Sequence, residues 1–190
     1  MSKRVLVFAV ATLVNFVFAH NILAQAKIGL NGIGIKLGFV DPEGGDNSVI
    51  GFGALVDLGT ITPDIMLEGN LDYWSKSISS TSSLGSAEFS LRDLILGGTA
   101  KYMFKSGNPK FRPFGSGGLA FHFFKAAVKS TGTFVVSSDN SEMKIGIHLG
   151  GGLFYNLSPQ LDLLADGRYS IVSDVSQIAL QAGVVYKLTK

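Results

Sequence analysis

The residues with the chemistry for a reactive site are few. Asp93 and His122 pair a carboxylate with an imidazole, the minimum for proton transfer or for a share in a metal centre. His148, with Asp166 and Arg168 further along, is a second set of the same kind. Either set could instead neutralise itself as a buried ion pair. The 3 His stand against no Cys, which removes a CxxC redox site, a disulfide scaffold and a thiolate zinc centre. Gly150-Gly151-Gly152 and Gly115-Ser116-Gly117-Gly118 fall inside strand patterns rather than at a strand-to-helix turn, so neither reads as a phosphate loop. Asp41, Glu43, Asp46 and Asn47 lack EF-hand spacing, and the Asn156-Leu157-Ser158 sequon lies in a tight turn. No cofactor or metal is expected.

What positions these groups is an unusually apolar chain. Of 190 residues, 46% are hydrophobic, 16% are charged and 24 are glycine. Soluble domains average about 25% charged residues and about 7% Gly. Intrinsic disorder is excluded by the same composition, and the length suits one domain. Residues 1–26 read as a helical signal peptide: Lys3 and Arg4 form a basic start, Val5 to Phe18 an apolar stretch, and Ala24-Gln25-Ala26 a cleavage site. That stretch covers about 21 Å of a hydrocarbon core roughly 30 Å thick, too little for an anchor. Cleavage takes two of the 16 basic residues and leaves them equal to the 14 acidic ones, so residues 27–190 are formally neutral. A neutral chain offers no basic face for nucleic acid.

From Lys27 onward the dominant period is two, which puts alternate side chains on opposite faces of a strand. Met143, Ile145, Ile147, Leu149 and Leu153 share one parity, and Lys144, Gly146, His148, Gly150 and Gly152 share the other. The last run repeats this, with Ile178, Leu180, Ala182, Val184 and Tyr186 against Gln177, Gln181, Gly183 and Lys187. The pattern predicts eight strands at 28–40, 48–59, 64–75, 87–104, 111–125, 142–156, 160–172 and 176–188. Phe89 and Leu91 lie out of phase with Leu94, which requires either a bulge near Arg92-Asp93 or a strand running past the membrane. The segments 41–47, 76–85 and 126–141 are polar and long, whereas 60–63, 105–110 and 156–159 are short turns. That alternation is the mark of transmembrane barrels, with long loops outside.

A soluble cup with the apolar parity inside would need a water-facing parity dense in Lys and Glu. Here that parity is diluted by Gly32, Gly34, Gly38, Gly51, Gly53, Gly97, Gly118, Gly146 and Gly183, which suit a crowded lumen. Tyr102, Phe104, Phe111, Tyr155 and Tyr186 gather at one end, and Phe39, Tyr73, Trp74, Phe121, Phe123 and Tyr169 at the other, like two interfacial girdles. The fold class is therefore all-β, an eight-stranded antiparallel up-and-down transmembrane β-barrel over residues 27–190.

Arg112-Pro113-Phe114-Gly115-Ser116-Gly117-Gly118, the Gly150-to-Pro159 hairpin with Leu161 to Tyr169, and the terminal Gln181-x-Gly183-x-x-Tyr186-x-Leu188 resemble small outer-membrane barrels of the OmpA, OmpX and OmpW kind and the opacity-protein, porin-like family. The resemblance implies an outer-membrane location and contact with outer-membrane lipid. It further implies that Gln181, Gly183, Tyr186 and Leu188 are the signal read by the barrel-assembly machinery. Thr189 and Lys190 follow that signal, where many members end on an aromatic residue.

With hairpins centred on their turns, the inward set includes Glu68, Asp72, Asp93, Lys101, Arg112, His122, Lys144, His148, Asp162, Asp166 and Arg168. Asp72, Asp93, His122 and Lys144 then lie side by side in the outer half, and His148 falls near Asp166 and Arg168 with Gln181 next along. Near balance of sign predicts a network that plugs the barrel. The expected role is structural, adhesive or surface-interacting, through segments 41–47, 76–85 and 126–141, with no catalysis. Two rival readings remain. One is a narrow conduit for small apolar molecules lined by Leu55, Met66, Phe114 and Leu164. The other is a lipid-modifying enzyme using Asp93 and His122, although no His-x-Ser arrangement occurs. N-terminal sequencing of envelope-isolated protein should return Lys27 first, and an intact 1–26 segment in the folded protein would contradict the signal-peptide reading.

Overall fold

The computed structural model describes residues 26–42, 48–82, 85–132, 136–173 and 175–188. The 1–25 part of the expected signal peptide, the 43–47 part of the first outer segment, and Thr189 and Lys190 lie outside the described residues. Eight strands run in order: β1 (Lys27–Pro42), β2 (Val49–Thr62), β3 (Ile65–Ser82), β4 (Gly85–Met103), β5 (Phe111–Gly132), β6 (Val136–Ser158), β7 (Leu161–Val172) and β8 (Gln177–Lys187). Each pairs antiparallel with its sequence neighbours, and β1 pairs with β8 to close the barrel. Closure gives the wall no free edge, which a hydrocarbon environment demands because it offers backbone groups no other partner.

The apolar parity faces outward on every strand. Ile35 is 70% exposed and Leu180 62%, whereas Leu55, on the opposite parity, is 2% exposed. Exposed apolar rows on all eight strands are stable only against lipid. Trp74 is a correction to the outer girdle: it points inward at 1% exposure and donates its indole N–H to Gln177 Oε1 at 3.0 Å. Adjacent residues of a strand cannot both face lipid, and Tyr73 holds the outward position.

Register shifts occur where β1, β2 and β6 near the short-turn end of the barrel. At one of them Gly59 has φ +89°, and its N–H donates to Asp57 Oδ1 at 2.8 Å. A Cβ at Gly59 would overlap the Lys27 carbonyl oxygen, so the chain needs glycine there.

Segments 76–85 and 126–141, read from sequence as loops, are instead largely strand. Pairing of β3 with β4 continues to Ser82↔Gly85, of β4 with β5 to Gly85↔Gly132, and of β5 with β6 to Ser130↔Val136. Register through Arg92 and Asp93 is unbroken, so the phase change at Phe89 and Leu91 comes from a strand outrunning the membrane, not from a bulge.

Face assignment predicts an asymmetric response. Ile147→Lys, Leu163→Lys or Leu180→Lys should each destabilise the barrel by about 2 to 4 kcal/mol in a denaturant titration of refolding into lipid vesicles. Lys144→Gln, at the inward rim, should change stability by less than about 1 kcal/mol. Equal losses on both parities would contradict the orientation.

Candidate functional site

The inward residues stack in layers along the barrel. At the short-turn end, Asp162 on β7 takes hydrogen bonds from Arg112 Nη2, from Lys187 Nζ at 2.8 Å and from Asn156 Nδ2 at 3.1 Å. Above it lies an apolar layer of Leu55, Met66, Phe114, Phe154, Leu164 and Val185. Lys101 rises out of this layer, its ammonium 4.5 Å from the Phe114 ring centroid, and ends 2.5 Å from Glu68 Oε2. Neither Lys101 nor Glu68 side chain is exposed.

The middle of the lumen is a polar belt. Arg168 holds Asp166 at 2.9 Å and lies 3.9 Å from Glu68 and 3.8 Å from Asp72. Asp72 also takes Lys36 Nζ at 3.0 Å and the Gln181 amide at 3.3 Å. Lys36 donates to Asn70, Asn70 donates to Thr99 at 2.7 Å, and Thr99 Oγ1 meets His148 Nε2 at 2.9 Å. Glu68, Asp72, Asp166, Lys36, Lys101 and Arg168 thus share one electrostatic network, in which Lys36–Asp72, Lys101–Glu68 and Arg168–Asp166 are at hydrogen-bonding distance and Arg168 links the other two acids from just under 4 Å. Asp72, His148, Arg168 and Gln181 border a cavity of about 20 Å³, room for about one water.

A second apolar layer closes the other side, made of Val40, Trp74, Ile95, Ala120, Phe124 and Val172. Set into it, His122 Nδ1 lies 2.7 Å from Asp93 Oδ2, and the imidazole stacks on Phe124. At the rim Lys144 donates to the Ser173 carbonyl at 3.1 Å and sits 3.3 Å from Glu142. Space for these side chains is made by glycine. A Cβ at Gly118 would overlap the Gly98 carbonyl oxygen and stand 2.6 Å from His148 Nε2.

The structure regroups the sequence-derived set. Asp93 and His122 do meet, but Asp72 lies opposite Ile95 and joins Lys36 and Arg168, while Trp74 takes the place opposite Asp93. The reason is the turn. The β3–β4 hairpin closes at Ser82↔Gly85, one residue beyond the centre that would set Asp72 opposite Asp93, and this slides the pairing by two. Lys144 is bonded to the rim rather than to His122, although the two are cross-strand neighbours. His148 lies opposite Ser170 and binds Thr99 rather than Asp166. Lys36, Asn70, Thr99, Gln177 and Lys187 were missed. Lys36 carried a readable signal, the one cation on the Gly32–Gly34–Gly38 parity. Of the assembly pattern, Gln181 and Gly183 face the lumen, Tyr186 is exposed outward, and the Leu188 N–H donates to the Asn31 carbonyl at 2.7 Å.

Chemically the arrangement neutralises charge. Among the described residues no group of three or more His, Asp or Glu is placed to hold a metal ion. The His122–Asp93 pair is buried on the lumen side of the wall, shut off from the lipid surface.

The chain is similar in fold to several solved membrane proteins. Neisserial surface protein A shares 24% identity at a TM-score of 0.53, covering 83% of this chain and 96% of that one. The attachment invasion locus protein Ail of Yersinia pestis, solved with the heparin analogue sucrose octasulfate, shares 20% identity at 0.53, over 84% and 97%. A major outer membrane protein from Thermus thermophilus shares 11% at 0.58, over 84% and 100%. No curated protein matches the chain in sequence. Residues 7–187 match the family model of the outer membrane protein beta-barrel domain, and with the closed eight-stranded wall this makes the chain a member of that outer-membrane family.

Proposed function

We propose that this outer-membrane barrel is a structural and surface-interaction protein with a closed lumen, working through the part of the wall that stands above the membrane. The observation that carries the reading is the unequal height of the strands. Paired β3, β4, β5 and β6 continue to Ser82, Gly85, Gly132 and Val136, while β1–β2 pairing ends at Val40↔Val49 and β7–β8 at Ser170↔Gln177. From Ser75 to Ser82 that is about 25 Å of extra strand at the usual rise. The result is a four-stranded sheet raised on one side of the rim, rigid enough to present a surface without the ordering penalty of a flexible loop. Ail, of the same fold, was solved in complex with the heparin analogue sucrose octasulfate, which supports a ligand-binding role for a barrel of this kind.

Charge balance and layering support the closed lumen. The belt of Glu68, Asp72, Asp166, Lys36, Lys101 and Arg168 lies between two apolar layers, and carries both signs where a selective pore carries one. Leu55, Met66, Phe114 and Leu164, the lining of the rival conduit, pack on one another as the lower layer. The lipid-modifying reading loses support because Asp93 and His122 are both 0% exposed. On this account residues 1–26 are removed on export, and Gln181, Gly183, Tyr186 and Leu188 guide insertion.

Trimming 78–89 and 128–138 to tight turns should leave a heat-modifiable barrel and abolish adhesion or aggregation of cells displaying it. Undiminished adhesion by the trimmed barrel would contradict the surface role. In planar bilayers the wild-type protein should show no steady, large conductance, and a stable porin-like step would overturn the closed lumen. Lys101→Met leaves Glu68 with only Arg168, at 3.9 Å, and should destabilise by about 3 to 5 kcal/mol or open flickering conductance, whereas Lys101→Met with Glu68→Leu should recover most of the stability. Equal loss in both variants would argue against the pair as the reason Lys101 is tolerated there.

A further inference from the structure

Outside the wall, each strand passes from apolar to polar at one outward position on its way to the outer rim. Around the barrel these positions are Asp41, Ser48, Ser75, Arg92, Lys125, Ser141, Ser173 and Ser176. The two cations in this collar are on neighbouring strands, and the one acid, Asp41, is on β1, diametrically across an eight-stranded barrel from β5. The pairing aligns them further. Ser75↔Arg92, Arg92↔Lys125 and Lys125↔Ser141 are consecutive cross-strand partners, so β3 to β6 carry one continuous row of hydroxyl, guanidinium, ammonium and hydroxyl.

The next outward row toward the membrane is Tyr73↔Leu94↔Phe123↔Met143, and below that Leu71↔Leu96↔Phe121↔Ile145. A groove of about 490 Å³ lies at the junction, lined by Tyr73, Arg92, Leu94, Phe123, Lys125, Ser141 and Met143 among others. Glu142 also borders it, with Lys144 held 3.3 Å from its carboxylate. Among the described residues Arg92 has no ion-pair partner.

We propose that this row is a binding site for a lipid of the outer leaflet whose headgroup bears phosphate. Cross-strand partners hold their Cβ atoms about 4.5 to 5.5 Å apart, so Arg92 and Lys125 can grip one phosphate together, Arg with its bidentate fork and Lys as a point charge. Ser75 and Ser141 offer hydroxyl donors on either side. The two rows beneath supply aromatic and aliphatic surface for the acyl chains, and a free anion would leave that surface unused. The groove is thus complementary to an amphiphile, charge above and hydrocarbon below.

The test uses the full barrel in nanodiscs of phosphatidylcholine containing about a tenth phosphatidic acid, released into native mass spectrometry to count retained lipids. Wild-type protein should keep phosphatidic acid in preference to phosphatidylcholine, and Arg92→Gln with Lys125→Gln should weaken that retention about 30-fold. Arg92→Lys should keep most of the preference, and Lys105→Gln with Lys110→Gln, at the opposite end, all of it. Heat-modifiability confirms that each variant is folded, and if the double variant fails to fold, Lys125→Gln alone should still lower the preference. Equal retention by wild type and the folded Arg92 and Lys125 variants would overturn the site. So would displacement of phosphatidic acid by millimolar inorganic phosphate, which would make it a site for free anion.

Discussion

The ammonium groups of Lys36 and Lys101 lie inside a wall whose outer face is hydrocarbon, and neither could stay charged there without a carboxylate against it. Lys36 has Asp72 and Lys101 has Glu68, and Arg168 lies within 4 Å of both acids while holding a third, Asp166. Much of the rest of the barrel follows from fitting this chain of charges. The interior must be narrow enough for the groups to touch, which eight strands achieve. It must also leave each long side chain a place to lie, which is why small residues recur on the inward parity and why Gly118 faces His148.

Neutralising charge in the middle frees both ends to be apolar. Leu55, Phe114 and Phe154 with their neighbours close one side of the belt, and Trp74, Ile95 and Phe124 with theirs close the other. The lower layer contributes directly, since the Phe114 and Phe154 rings lie against the Lys101 ammonium. With these groups paired in the interior, the proposed surface role and the proposed lipid site both fall on the outside: the sheet raised by β3 to β6, and the lipid-facing collar at its foot. Both features come from the same four strands, so the tall side of the barrel is also the side with cations at the membrane surface.

Parity was legible in the sequence except at Trp74, because lipid on one face and packed inward side chains on the other leave a strict period of two in β6 and β8. Register was not. A hairpin closed one residue further out than the centre that would pair Asp72 with Asp93 shifts the partner by two, and that separated the two acids while keeping both inward. Strand length beyond the membrane was legible only in β4, where Phe89 and Leu91 fall out of phase with Leu94. Once the wall leaves lipid it loses its apolar face, and the Ser-rich stretch 75–82 reads like a loop although it is paired throughout. Lys36 was marked in the sequence only as the one cation on the Gly32–Gly34–Gly38 parity, with nothing to name its partner, and only the closure of β1 onto β8 brings Gln181 beside it around Asp72.

Lysine Nζ resonances of the barrel in nanodiscs test the buried charge network directly, since proton exchange of an ammonium reports its access to water. The account predicts that Lys36 and Lys101 give sharp, slowly exchanging ammonium signals while Lys105 and Lys110 exchange too fast to be seen. Exchange at Lys36 and Lys101 as fast as at Lys110 would mean that water fills the lumen, and would contradict a closed, internally neutralised barrel.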